Sequence, residues 1–192
     1  CKSMKRDTIR SFNLNYMIKL VYVLSSTLLL ALLANAKPHT NIIYILADDL
    51  GYGDLSILGQ SHFETPHIDE LARMGMIFTD HYSGSTVCAP SRASLLTGLH
   101  TGHAPVRGNL EWQPEGQYPM PENTYTIPQM LKRAGYTSGI FGKWGLGAPE
   151  TQSEPLKMGF DRFYGYNCQR IAHHYYPYFL WDDGQLEVLW NN

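Results

Sequence analysis

Asn41-Ile42-Ile43-Tyr44-Ile45-Leu46-Ala47, stopping abruptly at Asp48-Asp49, is the segment from which the architecture can be read. The run is nearly continuous, apolar and rich in β-branched residues, and its length suits a central strand covered on both faces. Downstream, Thr65-Pro66-His67-Ile68-Asp69-Glu70-Leu71-Ala72-Arg73-Met74-Gly75 carries the marks of a helix. It has an N-cap threonine, proline at the first position, acids in the first turn and a terminating glycine. Met76-Ile77-Phe78-Thr79 predicts the following strand, and Tyr82-Ser83-Gly84-Ser85 leads from it towards Cys88. Ile127 to Ala134, stopped by Gly135, predicts another helix, and Tyr136 to Phe141 a strand that delivers Gly142-Lys143-Trp144. Strands and helices in alternation imply an α/β layer architecture with a largely parallel sheet. Ligands in such sheets bind beyond the carboxyl ends of strands, so Asp48, Asp49 and Lys143 can share one site. Past Phe160 the pattern loosens, through Asp161 to Cys168 and the aromatic cluster His173-His174-Tyr175-Tyr176-Pro177-Tyr178-Phe179-Leu180-Trp181, with no final element evident.

The 192-residue chain is 44% hydrophobic, 12% aromatic and 17% charged, an ordinary globular balance. Its start stands apart. Met17-Ile18-Lys19 opens a basic n-region, Leu20 to Leu33 is an apolar run broken only by Ser25, Ser26 and Thr27, and Ala34-Asn35-Ala36 supplies small residues for cleavage. That is the pattern of a secretory signal peptide over 17–36, too short for a stable membrane span. Residues 1–16 form an upstream extension of doubtful status, and 37–192 the folded part. Of the 15 Lys/Arg and 17 Asp/Glu, the first 36 residues hold five and one, so the exported part carries 10 and 16, a net charge of −6. Nothing here resembles a nucleic-acid footprint. Only Cys88 and Cys168 follow the cleavage site, and they could form one disulfide or remain separate thiols.

The chemistry concentrates at Cys88-Ala89-Pro90-Ser91-Arg92, continued by Ala93-Ser94-Leu95-Leu96-Thr97-Gly98. A cysteine just ahead of a proline and a helix-forming run is a nucleophile at a helix N-terminus, with Arg92 one turn behind on the same face. The free N–H groups and the dipole of such an end favour an anion. Adjacent carboxylates at Asp48-Asp49 need solvent or a cation, and a hard divalent ion neutralises them well. Alone, such a pair is as readily a turn or cap feature.

In register, C-x-P-S-R followed by L-T-G resembles the signature of the type I sulfatases. Asp48-Asp49 followed by Gly51-Tyr52-Gly53-Asp54 resembles that family's opening, and Gly142-Lys143-Trp144-Gly145-Leu146-Gly147 resembles its G-K-W-H-L-G. The resemblance runs from about Asn41 to Phe163. It implies the alkaline-phosphatase-like α/β sandwich, with a central, largely parallel or mixed sheet flanked by helices, and the N-terminal part of a catalytic domain. It also implies hydrolysis of a sulfate monoester, on a sulfated glycan or an aryl sulfate, by an exported periplasmic or extracellular enzyme.

Cys88 would be oxidised by a sulfatase-maturation enzyme to formylglycine (3-oxoalanine), whose hydrate attacks sulfur, releases the alcohol and then expels sulfate. Asp48 and Asp49, with the modified Cys88, would bind Ca2+; Arg92 would brace the nucleophile and Lys143 would hold the sulfate group. Asp54 stays a turn residue. One position departs from the pattern: Gly145 stands where the family commonly has a catalytic histidine, and another histidine or a water must substitute. His173 and His174, paired among tyrosines, are candidates for a sugar-binding subsite or for simple aromatic packing, and His103 is a weaker candidate of the same kind.

Two rivals stand beside this reading. A phosphoesterase or phosphonate hydrolase of the same superfamily would more often place Ser or Thr at the nucleophile position. A protein that binds sulfated glycan without turnover is favoured by Gly145 and by the absence of assignable later ligands, an Asp-Asn pair, a second histidine and a second lysine.

Overall fold

The computed structural model describes residues 16–27 and 40–190. The chain divides into two compact units, residues 1–44 and 45–192. In the first, helix α1 covers residues 16–27. No helix among the described residues is long and apolar enough to cross a membrane. The expected cleavage site at Ala34–Ala36 lies outside the described residues.

The second unit opens with two single 3-10 turns, Tyr52–Asp54 and Ser56–Leu58, followed by α2 (Pro66–Met74), α3 (Cys88–Thr97) and α4 (Ile127–Arg133). Strand β1 (Gly139–Lys143), β2 (Arg162–Tyr166), the short α5 (Gln169–Ala172), β3 (Phe179–Asp182) and β4 (Gln185–Val188) complete it. The sheet order is β1-β2-β3-β4. β1 and β2 run parallel, whereas β2–β3 and β3–β4 are antiparallel, so the sheet is mixed. Asp183 and Gly184, both at positive φ (47° and 85°), form the two-residue turn of the β3–β4 hairpin; the paired positive angles follow the right-handed strand twist.

The core gathers around Trp144, Phe163, Met120, Leu146 and Met158, each almost fully buried. Trp144 stacks edge-on to Phe160 and donates its indole N–H to Ser153 O at 2.8 Å. Large side chains of this kind cost about 2–5 kcal/mol when truncated to alanine, and Trp144 and Leu146 lie directly after β1, where they anchor the end of that strand. Thr126 ties α4 to the same core, its hydroxyl donating to Met158 O at 2.6 Å.

Helices α2, α3 and α4 form where the sequence predicts them. The strand expectations fare less evenly. Residues 41–47 carry no strand, and their apolar side chains are exposed, Ile43 at 86%. A run suited to burial on both faces needs a ladder on each side, and no described segment pairs with it. Met76–Thr79 likewise stays unpaired and exposed. The strand expected over Tyr136–Phe141 begins at Gly139 and ends at Lys143, so the lysine closes the strand instead of following it. Conversely, the region expected to be irregular contains β2, α5 and the β3–β4 hairpin.

Asp161 shows how the sheet is registered against α4. Its carboxylate accepts Lys132 Nζ at 2.7 Å and Ser138 N at 3.0 Å, and these donors, the lysine first, hold its pKa below the ordinary value. A carboxyl lowered by folding adds stability above its unfolded pKa, and that contribution is lost as pH falls through the folded value. Asp161→Asn should therefore lower the melting temperature at pH 7 and flatten its further fall below about pH 4. A melting series from neutral to acid pH checks this, and parallel curves for the two proteins would refute it.

Candidate active site

Helix α3 presents Cys88 because its first turn is locked from outside. Val87 precedes it in extended conformation, Ser91 N donates to Val87 O at 3.1 Å, and Ala89 N donates to the side-chain oxygen of Asn109 at 2.9 Å. Asn109 thus satisfies an N–H that the helix cannot. Pro90 fits the first turn without losing a helical bond. Ala89, Pro90, Ala93 and Ser94 are buried and hold the helix, leaving Cys88 half-buried at its end. Nothing in the local sequence points to Asn109, since a partner twenty residues away leaves no local pattern.

Strand β1 brings Lys143 to the same place. Gly142 and Gly165 face each other in the β1–β2 register, and a Cβ at Gly165 would lie 1.9 Å from Gly142 O. Only glycine permits this approach. Lys143 follows, with a side chain 7% exposed. Its ammonium lies 2.6 Å from Asp48 Oδ2, 3.4 Å from Cys88 Sγ and 3.3 Å from His173 Nε2. Arg92 completes the frame by donating Nη1 to Lys143 O at 2.6 Å, joining α3 to the end of β1. Its other terminal nitrogen is 3.9 Å from Asp48 Oδ1.

Two largely buried cations and the Cys88 thiol therefore share a wall with one carboxylate. Burial pushes the Asp48 carboxyl up, but the Lys143 hydrogen bond and the charges of Lys143 and Arg92 outweigh it, leaving its pKa below the ordinary value. Burial lowers the Arg92 pKa, opposed by Asp48 and Cys88; a guanidinium stays charged regardless. Asp49 follows at φ 58°, a left-handed bend that aspartate tolerates. An open cleft of about 380 Å3 is bordered by Asp48, Asp49, Ser85, Cys88, Ser91 and Arg92. Asp54 accepts Gly51 N at 2.6 Å and serves as the expected turn residue.

Ligand atoms of Asp48, Cys88 and His173 lie within 4.8 Å of one another. The Lys143 ammonium contacts all three, so this mixed oxygen, sulfur and nitrogen group already surrounds a cation. The Asp48–Asp49 side is different in kind. Both carboxylates border the cleft, and Asp49 makes no ion pair among the described residues. Two hard oxygen donors of this type fit part of a Ca2+ shell, which takes six to eight oxygens.

Of the sequence-predicted residues, Asp48, Cys88, Arg92, Lys143 and His173 meet. His174 is exposed, with no hydrogen bond to that group among the described residues. His103 is exposed and faces His100 instead, with ring centroids 6.4 Å apart. Cys88 and Cys168 are both free thiols, the latter buried, which settles the choice between a disulfide and separate thiols.

Comparison with known proteins finds relatives over most of the chain. The family model described as Sulfatase matches residues 40–186. The chain is 42% identical over 168 residues to N-acetylgalactosamine-6-sulfatase of Mus musculus, covering 83% of this chain and 31% of that protein. It is 47% identical over 148 residues to arylsulfatase A of Bos taurus, covering 72% of this chain and 28% of the other. A solved structure from work on the metabolism of multiple glycosaminoglycans by Bacteroides thetaiotaomicron superposes with TM-score 0.66 at 35% identity, covering 77% of this chain and 32% of that one. The chain thus spans about a third of the length of these relatives.

Proposed function

This chain belongs to the sulfatase family, and on that premise we propose that it hydrolyses a sulfate monoester carried by a glycan or an aryl alcohol. The observation that carries the proposal is the Lys143 ammonium, 3.4 Å from Cys88 Sγ and 2.6 Å from Asp48. A cation fixed beside a nucleophile is what an anionic ester requires, because positioning and charge stabilisation supply most of the catalysis in such group transfers.

Each residue then has a task. Cys88, matured to formylglycine by a partner enzyme, would supply an aldehyde hydrate as the oxygen nucleophile. Lys143 binds sulfate oxygens and opposes the negative charge that builds on them. Arg92 fixes the separation of nucleophile and lysine through its bond to Lys143 O, and adds positive charge to the cleft. Asp48 and Asp49 would hold Ca2+, which polarises a bound oxyanion. Residues 17–36 would act as the export signal, placing the enzyme in the periplasm or outside the cell.

Assaying a sulfate and a phosphate monoester side by side on the full-length gene product tests the reading. Preference for the sulfate ester is expected; preference for phosphate would sink it in favour of a phosphoesterase. Asp49→Asn should weaken Ca2+ binding by about tenfold or more, since affinity follows the charge count of the ligands. Calorimetric titration with Ca2+ reads this directly, and an unchanged isotherm would remove Asp49 from the metal site.

A further inference from the structure

A lysine ammonium has three N–H donors and no acceptor. In this protein three acceptors surround Lys143 Nζ: Asp48 Oδ2 at 2.6 Å, His173 Nε2 at 3.3 Å and Cys88 Sγ at 3.4 Å. Two of them, the carboxylate and the imidazole, leave the third N–H directed to the nucleophile. His173 directly follows α5, and what sets α5 against the chain leaving β1 is an unusual contact. Gly145 sits at φ 73°, and a Cβ there would lie 2.7 Å from Gln169 Nε2 and 3.1 Å from Gln169 Cγ. Gln169 is buried at 3% exposure, and its carbonyl accepts His173 N at 3.1 Å. The helical turn that seats Gln169 on the bare backbone of Gly145 therefore carries the His173 ring to Lys143.

We propose that His173 is a positioning residue for Lys143, and that Gln169, seated on Gly145, places it there. The imidazole accepts one N–H of the ammonium through Nε2, so its Nδ1 carries the proton. It thereby fixes the direction of the N–H that meets Cys88 and, in turnover, the group transferred there. This assignment rests on the sulfatase reading of the same site.

The test separates orientation from charge. With the full-length gene product and a sulfate ester, His173→Ala is expected to lower kcat roughly tenfold, the loss of one hydrogen bond to a charged group. KM should stay within about threefold, as should the calorimetric Kd of inorganic sulfate, because the lysine charge that attracts the anion remains. His173→Gln, whose amide oxygen can accept the same N–H, should recover most of kcat. Gly145→Ala, whose Cβ must displace Gln169, should reproduce the kcat loss.

Wild-type kcat in His173→Ala overturns the proposal, as does a glutamine variant as impaired as the alanine one. Parallel loss of kcat, sulfate affinity and melting temperature would also overturn it, marking a purely structural role. Each of these leaves sulfate-ester hydrolysis by the unmodified protein standing. Failure of the unmodified protein to cleave the sulfate ester would overturn the sulfatase reading and this inference together.

Discussion

Replacing Cys88 with alanine is expected to abolish sulfate-ester hydrolysis while leaving the fold intact. The sulfur position is the point on which Lys143, Asp48 and His173 converge. Removing a covalent nucleophile commonly costs on the order of 10^4-fold or more in kcat. The fold should survive for local reasons. Cys88 is half-buried, and alanine is the best helix former. The buried contacts of α3 are made by Ala89, Pro90, Ala93 and Ser94, none of which is altered. Steady-state kinetics beside a far-UV circular dichroism melt checks both halves. Appreciable turnover in a folded Cys88→Ala protein would end the covalent mechanism.

Lys143→Ala ranks second in expected effect. It removes a cation held at 7% side-chain exposure against three partners, so nothing nearby takes over its position. A fixed charge aimed at a developing anion is worth about 10^2–10^3-fold in kcat, and ground-state sulfate binding should fall with it. The pattern differs from that of His173→Ala: here kcat falls and KM rises. The same substitution deprives Asp48 of its main counter-charge, so the Asp48 carboxyl should titrate at higher pH than in the unmodified protein. Kinetics at fixed pH and NMR titration of the carboxylates test the two effects separately. A KM unchanged from wild type would show that sulfate is held elsewhere.

Much of this candidate site is legible in the sequence, because its parts are local. Cys88 and Arg92 are one helical turn apart, and Lys143 closes a glycine-flanked strand. Asp48-Asp49 ends an apolar run. What was not readable depends on distant partners. The run 41–47 has the composition of a central strand, but composition does not supply the ladder. Residues 162–166 lack an uninterrupted apolar run, yet they pair with β1 because Gly165 lets the chains approach and Phe163 is buried. The Asp183-Gly184 pair is a hairpin signal in the sequence, set directly after the aromatic cluster. Asn109 and Gln169 act across 20 and 24 positions of chain, on Ala89 and Gly145 respectively. No periodicity marks residues of that kind.

The contact between Gly145 and Gln169 also bears on how such a site can change over generations. With the Gln169 amide 2.7 Å from where a Cβ at position 145 would lie, and the backbone there in the left-handed region, a side chain introduced at 145 must displace Gln169. A smaller residue at 169 would also open the space, at the cost of loosening the turn that leads to His173. The two positions are thus coupled: a side chain gained at 145 disturbs the turn that carries His173.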